Sequence, residues 1–169
     1  MPSANGRARI LGLDPGLQIT GYAVVESSPR GPLICEAGVI KGADKKSAKP
    51  DTPRRLANLF ASLTEILDQF QPSAMAVEQL YSHYAHPRTA VLMGHARGVL
   101  LLAAAQRSIP VTSYNPTQIK STICGHGRAS KEQVQHAICR ELGLPKIPEP
   151  PDVADALAVA LCHLYSMKR

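Results

Sequence analysis

The sequence predicts an α/β layered domain, a mixed five-stranded sheet flanked by helices. Three short apolar runs follow one another at turn-length spacing at the start of the chain, as in an antiparallel meander. From residue 51 onward, helical apolar periodicity alternates with short continuous apolar runs, which suit strands buried on both faces in a parallel arrangement. The 169 residues carry no internal repeat and suffice for one sizeable core, so a single domain spans 1–169, with 1–8 and 166–169 expected to be flexible.

Each element has its own warrant. Residues 9–13 (RILGL) form a strand that ends at Asp14-Pro15-Gly16, residues 20–26 (TGYAVVE) resume it, and residues 33–40 (LICEAGVI) follow a Pro/Gly turn. The polar, basic stretch over 41–50 reads as a mobile loop. Asp51 or Thr52 caps a helix starting at Pro53, in which Leu56, Leu59, Phe60, Leu63, Ile66, Leu67 and Phe70 form one stripe. Residues 74–77 (AMAV) make a buried strand that delivers Glu78. A helix over 88–106 is apolar almost all round, with Gly94, Ala96 and Gly98 leaving room for another backbone; it is either a core helix or a subunit interface. Val111 to Tyr114 is the last strand, followed by a short helix from Pro116 to about Ile123 and a Gly-x-Gly loop. Ser130 and Gln133 form a capping box for a helix to Leu142, and Pro151 opens a final helix through about Tyr165.

Composition narrows the function classes. Nineteen Lys and Arg against 13 Asp and Glu give a net charge of +6, which favours a polyanionic partner. The most apolar run, 98–105, is far short of the ~20 residues a membrane helix needs. Four cysteines without a C-x-x-C pair read as reduced thiols in a cytoplasmic protein. The histidines at 83, 86, 126 and 136 and the Cys162-His163 pair have no four-ligand zinc spacing, and His83 and His86 are expected in a solvent-facing loop.

The chemistry rests on carboxylates. Asp14 and Glu78 each stand where an apolar strand runs out, and Asp152 and Asp155 lie three residues apart in the first turn of an apolar helix, on one face. A carboxylate held near a buried strand needs a cation, hydrogen bonds or a metal, because desolvation otherwise costs several kcal/mol. The alternative for the helical pair is plain N-terminal charge favoured by the dipole. Together the four make an all-oxygen set suited to Mg²⁺, with Mn²⁺ substituting, as one or two ions per site. Paired ions of this kind catalyse in-line phosphodiester hydrolysis without a protein nucleophile.

The segments LGLDPGLQITGYAVV, AVEQLY, GHARGVLLLAA, QIKSTICGHGRASKEQVQH and PPDVADALAVALCH resemble, in order, the motifs of RuvC Holliday junction resolvases, from Arg9 to His163. The resemblance implies a ribonuclease H-like fold and a metal-dependent endonuclease that cuts four-way junction DNA by paired symmetric nicks. It implies catalytic and metal-binding roles for Asp14, Glu78, Asp152 and Asp155, a base-stacking role for Tyr81, and phosphate contacts for Lys120 and Lys131. Arg88 and Arg128 join the DNA-binding set from charge and loop position alone. A homodimer is implied too, since symmetric cutting needs two sites related by a two-fold axis, as is a RuvAB-type branch-migration partner; the 88–106 helix is the candidate interface. Relative to the family, the chain has an extended N-terminus over residues 1–8 and a lysine-rich 41–50 loop.

Three rivals differ in class. The LGLDPG-x-x-x-TG element also opens actin-like ATPases and sugar kinases, but these need two such domains around a nucleotide. A nuclease of the same fold could act on RNA–DNA hybrid or structured RNA. A non-catalytic nucleic-acid binder is disfavoured because unneutralised carboxylates would repel one another and any phosphate.

Overall fold

The computed structural model describes residues 7–42, 51–80 and 87–167. Three antiparallel strands come first: β1 (Arg9–Asp14), β2 (Ile19–Glu26) and β3 (Leu33–Lys41). After helix α1 (Thr52–Phe70), strand β4 (Ala74–Glu78) returns parallel to β1; helix α2 (Pro87–Ala105) then leads to β5 (Val111–Tyr114), parallel to β4. The sheet order is β3-β2-β1-β4-β5, the mixed five-stranded arrangement expected from the sequence. Three helices close the chain: α3 (Pro116–Cys124), α4 (Lys131–Leu142) and α5 (Pro151–Ser166).

The strand pleat divides the core in two. Ile10, Ala74, Ala76 and Tyr114 face α3, α4 and α5, whereas Leu11, Leu13, Met75 and Val77 face α1 and α2. Both faces of the central strands are therefore covered, which explains why their sequences read as unbroken apolar runs rather than alternating ones.

Helix boundaries follow from capping. The Asp51 side chain accepts from the Arg54 amide and Pro53 fills the first turn of α1, while α3 and α4 each open with a reciprocal capping box, Asn115 with Gln118 and Ser130 with Gln133. Gly125 and Gly143 end α3 and α4 in the left-handed region.

Helix α2 is the element that periodicity left open between core and interface, and the structure divides it. Ala96, Leu100, Ala103 and Ala104 are buried, but Val91 and Leu102 are 58% and 51% exposed, and a Cβ added at Gly94 or Gly98 would meet nothing within 4 Å. At the N-terminus, Arg7 pairs with Glu26 and the Ala8 amide donates to the Ser27 hydroxyl, so these two residues are tied to β2. Tyr81, His83, His86 and the 43–50 part of the basic loop lie outside the described residues. Among the described residues no helix is long and apolar enough to cross a membrane.

Candidate active site

Alternation along the strands aims Asp14 and Glu78 at the same helix. Asp14 continues the face of Ile10 and Gly12, and Glu78 that of Ala74 and Ala76, the face against which α5 packs. Leu13 pairs with Val77, which places the two carboxylates side by side at the ends of neighbouring parallel strands. Helix α5 brings Asp152 and Asp155 over this sheet end, and it can do so because two strand positions have no side chain. A Cβ at Gly12 would overlap the Ala156 carbonyl oxygen and crowd the backbone of Ala160; one at Gly21 would overlap the Asp152 carbonyl oxygen. Glycine inside a strand is where another backbone approaches closely, and here it sets the height of the acidic helix turn above the sheet.

The electrostatics record the crowding. Burial, followed by repulsion from Glu78, Asp155 and Asp152, raises the Asp14 carboxyl to about 7, against a partial offset from Lys131. Glu78 is raised by burial and then by Asp155, with Lys120 and Lys131 opposing the shift. The Lys131 ammonium, at the start of α4, donates to Asp155 Oδ2 at 2.9 Å, and that bond is the main cause of its own raised pKa. Lys131 is 53% exposed on its side chain, so this is a cation standing at the rim of the cluster rather than a sealed pair.

Two clefts meet at the carboxylates. One of about 300 Å³ is lined by Glu78, Lys120, Lys131 and Asp155 with Pro116 and Ile119. The other, about 420 Å³, runs from Asp14 and Glu78 along Pro15, Leu80, Ala90 and Met93. Among the described residues no three His, Cys, Asp or Glu side chains converge closely enough to share an ion, and Lys131 rather than a third acid contacts Asp155.

The structure thus brings together Asp14, Glu78, Asp152, Asp155, Lys120 and Lys131 at one end of the sheet. Arg128 is exposed just ahead of α4, and Arg88 is exposed in the first turn of α2; neither lines the two clefts. The sequence reading missed three things: the Lys131 to Asp155 bond, the packing role of Gly12 and Gly21, and the buried hydrogen bond between the Tyr114 hydroxyl and His163 Nδ1 at 2.9 Å. The glycines had a signal, since they interrupt otherwise apolar strands. The other two join residues 24 and 49 positions apart, beyond the reach of local pattern.

Comparison with known proteins places this geometry in a family. The model of the family described as "Crossover junction endodeoxyribonuclease RuvC" matches residues 10–163. The crossover junction endodeoxyribonuclease RuvC of Rhodopirellula baltica is 52% identical over 159 residues, covering 92% of this chain and 85% of that protein. The structure of Thermus thermophilus RuvC superposes with a TM-score of 0.84 at 34% identity and 95% coverage of both chains. The T. thermophilus RuvC structure in complex with Holliday junction substrate gives 0.85 at 33% identity, again covering 95% of each chain. With the match spanning every strand and helix that builds the carboxylate cluster, the chain belongs to the RuvC family of crossover junction endodeoxyribonucleases.

Proposed function

We propose that this protein resolves four-way (Holliday) DNA junctions by paired, symmetric, metal-dependent nicks, serving homologous recombination and DNA repair in the cytoplasm. The observation that carries the reading is the carboxylate cluster at the sheet end, on a chain homologous to junction endonucleases along nearly its whole length.

Asp14, Glu78, Asp152 and Asp155 would hold the metal by drawing closer together than they stand here, with Lys131 releasing Asp155. Their donor set fits Mg²⁺, with Mn²⁺ as substitute and one or two ions: it is all oxygen, and the clefts around it are lined by neither His nor Cys. Burial, and after it repulsion from neighbouring carboxylates, raises Asp14 and Glu78, and a divalent cation would offset both. When bound, such a cation stabilises the charge on the attacking and leaving oxygens of a phosphodiester displacement.

The chain's own residues supply the rest. Lys120 and Lys131 line the cleft beside Glu78 and Asp155, where their ammonium groups can donate to the non-bridging oxygens of the scissile phosphate. Lys131 is poised to exchange its bond to Asp155 for one to phosphate, because it already stands half exposed. Proline and aliphatic side chains line the neighbouring cleft, so bound substrate would displace water from beside the reacting group. Tyr81 follows Leu80 of that cleft in sequence and is assigned base stacking near the junction centre, worth ~1–3 kcal/mol per base. Arg88 and Arg128 are assigned to phosphates farther from the cut.

Symmetric cutting calls for a second site, and α2 offers the contact: Val91 and Leu102 project from it, with open space at Gly94 and Gly98 between them. A homodimer through this face would work beside a RuvAB-type branch-migration complex. Leu102→Glu should shift the protein from dimer to monomer in analytical ultracentrifugation; an unchanged sedimentation coefficient moves the interface elsewhere.

Catalysis is tested by separating binding from cutting. Glu78→Gln and Asp155→Asn should each abolish cleavage of a synthetic four-way junction while retaining a gel-shifted complex with it. Loss of binding by a folded variant removes these residues from metal catalysis. Tyr81→Ala should slow cleavage with metal affinity unaltered, and an unchanged rate would leave Tyr81 without a role in it.

A further inference from the structure

The end of β3 and the first turn of α1 form a basic corner at the sheet edge, with Lys41 on the face of the carboxylates and α1 on the opposite face. The row of paired residues through Asp14 continues to Gly21 and Val39, and Lys41 lies two residues beyond Val39, opposite Ile19. Lys41 continues the strand face of Ala37 and Val39, which is the face of Asp14. At the usual strand spacing and rise, its Cα stands about 12 Å from that of Asp14.

The corner is rigid. The Gly42 amide donates to the Gln18 carbonyl in the turn that follows Asp14, and Asn58 Nδ2 of α1 donates to the Gly42 carbonyl. A Cβ on Gly42 would overlap the Leu17 carbonyl oxygen and press on Arg55 Cβ, so turn, strand end and helix start are in contact.

Its charges are placed against local stability. Arg54 and Arg55 occupy the first turn of α1, where the helix dipole favours anions, and α1 has no acid in that turn. Lys41 and Arg54 are exposed, and among the described residues neither forms an ion pair. Lys120 and Lys131 hold the opposite flank, toward α3 and α4. Cations on both sides of one sheet edge, part of them at a helix end that disfavours them, fit a ligand that is itself a line of negative charge and passes around that edge.

We propose that Lys41 and Arg54 grip the phosphate backbone of a duplex arm of the DNA substrate, extending each protomer's footprint across β3. The inference rests on the reading of DNA as substrate. The separation of Lys41 from Asp14 keeps the corner clear of the reacting phosphate and sets it against a neighbouring stretch of the same arm. The corner therefore contacts the arm away from the cut, where sequence is not read but position is fixed.

The test uses the full chain and the double variant Lys41→Gln/Arg54→Gln, with fluorescence anisotropy of a labelled four-way junction between about 50 and 200 mM salt. The log–log slope of affinity against salt should shrink by about 0.9 for each lost phosphate contact, and thus by about 1.8. The melting temperature should hold or rise, since Arg54 opposes the dipole and Lys41 is exposed at a strand end. The charge-keeping variant Lys41→Arg/Arg54→Lys should restore the wild-type slope, and a wild-type junction whose arms stop short of the corner should reproduce the double variant's slope. An unchanged slope in a double variant that binds the junction overturns the corner and leaves the resolvase reading intact. A wild-type protein that neither binds nor cuts the junction overturns both.

Discussion

Replacing Asp14 by Asn should make the metal-free protein more stable at neutral to alkaline pH while ending its activity. The carboxyl titrates at about 7 in the folded chain against a reference of 3.8, with burial as the leading cause and Glu78, Asp155 and Asp152 following. The folded state therefore binds more protons than the unfolded one between these two values. Stability associated with the protonated group is complete below 3.8 and lost as pH rises through about 7. Three units at 1.36 kcal/mol each set an upper bound of about 4 kcal/mol. Water reaching the open clefts reduces this to about 2 kcal/mol, or roughly 4–8 °C in Tm for a chain of this size. Asn keeps the shape and removes the charge. Thermal melts in chelator should show Asp14→Asn above wild type by this margin at pH 8, with the two curves meeting near pH 4. Added Mg²⁺ should raise the wild-type Tm and move the variant less. A variant equal to or less stable than wild type at pH 8, with parallel pH profiles, refutes the claim that the cluster is strained by unneutralised charge.

Other consequences follow from the packing. Gly21→Ala places a methyl group against the Asp152 carbonyl and should lift the start of α5, lowering cleavage by about 100-fold with the fold retained, since displacements near 1 Å suffice for that; circular dichroism with single-turnover cleavage checks it, and wild-type activity would mean that the acidic turn tolerates displacement. Tyr114→Phe strips the hydroxyl from buried His163 and should lower stability by about 1–3 kcal/mol in urea unfolding, whereas a loss near zero would mean that water replaces the bond. Lys131→Met should change stability by less than about 1 kcal/mol, because the pair with Asp155 is largely solvated, yet should slow cleavage strongly. A large stability loss without a kinetic effect would make Lys131 structural.

Local chemistry made most of this fold legible. Asp51, Asn115 and Ser130 are the caps of α1, α3 and α4, and each writes its helix start into two or three adjacent residues. The apolar runs at 9–13 and 74–77 are legible as central strands because both faces are covered, and their exits put Asp14 and Glu78 where a site can form. What stayed hidden is relational. Nothing near Lys131 announces Asp155, and nothing near Gly21 announces Asp152; these contacts exist only once α5 lies across the sheet. Helix α2 was ambiguous for a different reason. A buried stripe and an uncovered apolar stripe on one helix cancel in any periodicity argument, so its two faces separate only in the structure.

The most direct test of the account is cleavage of a synthetic four-way DNA junction by the wild-type protein in Mg²⁺, in Mn²⁺ and in chelator, beside duplex DNA and an RNA–DNA hybrid. The account predicts paired symmetric nicks confined to the junction, present with either metal and absent in chelator. Cleavage of the hybrid with the junction left intact, or cutting that persists in chelator, would contradict it.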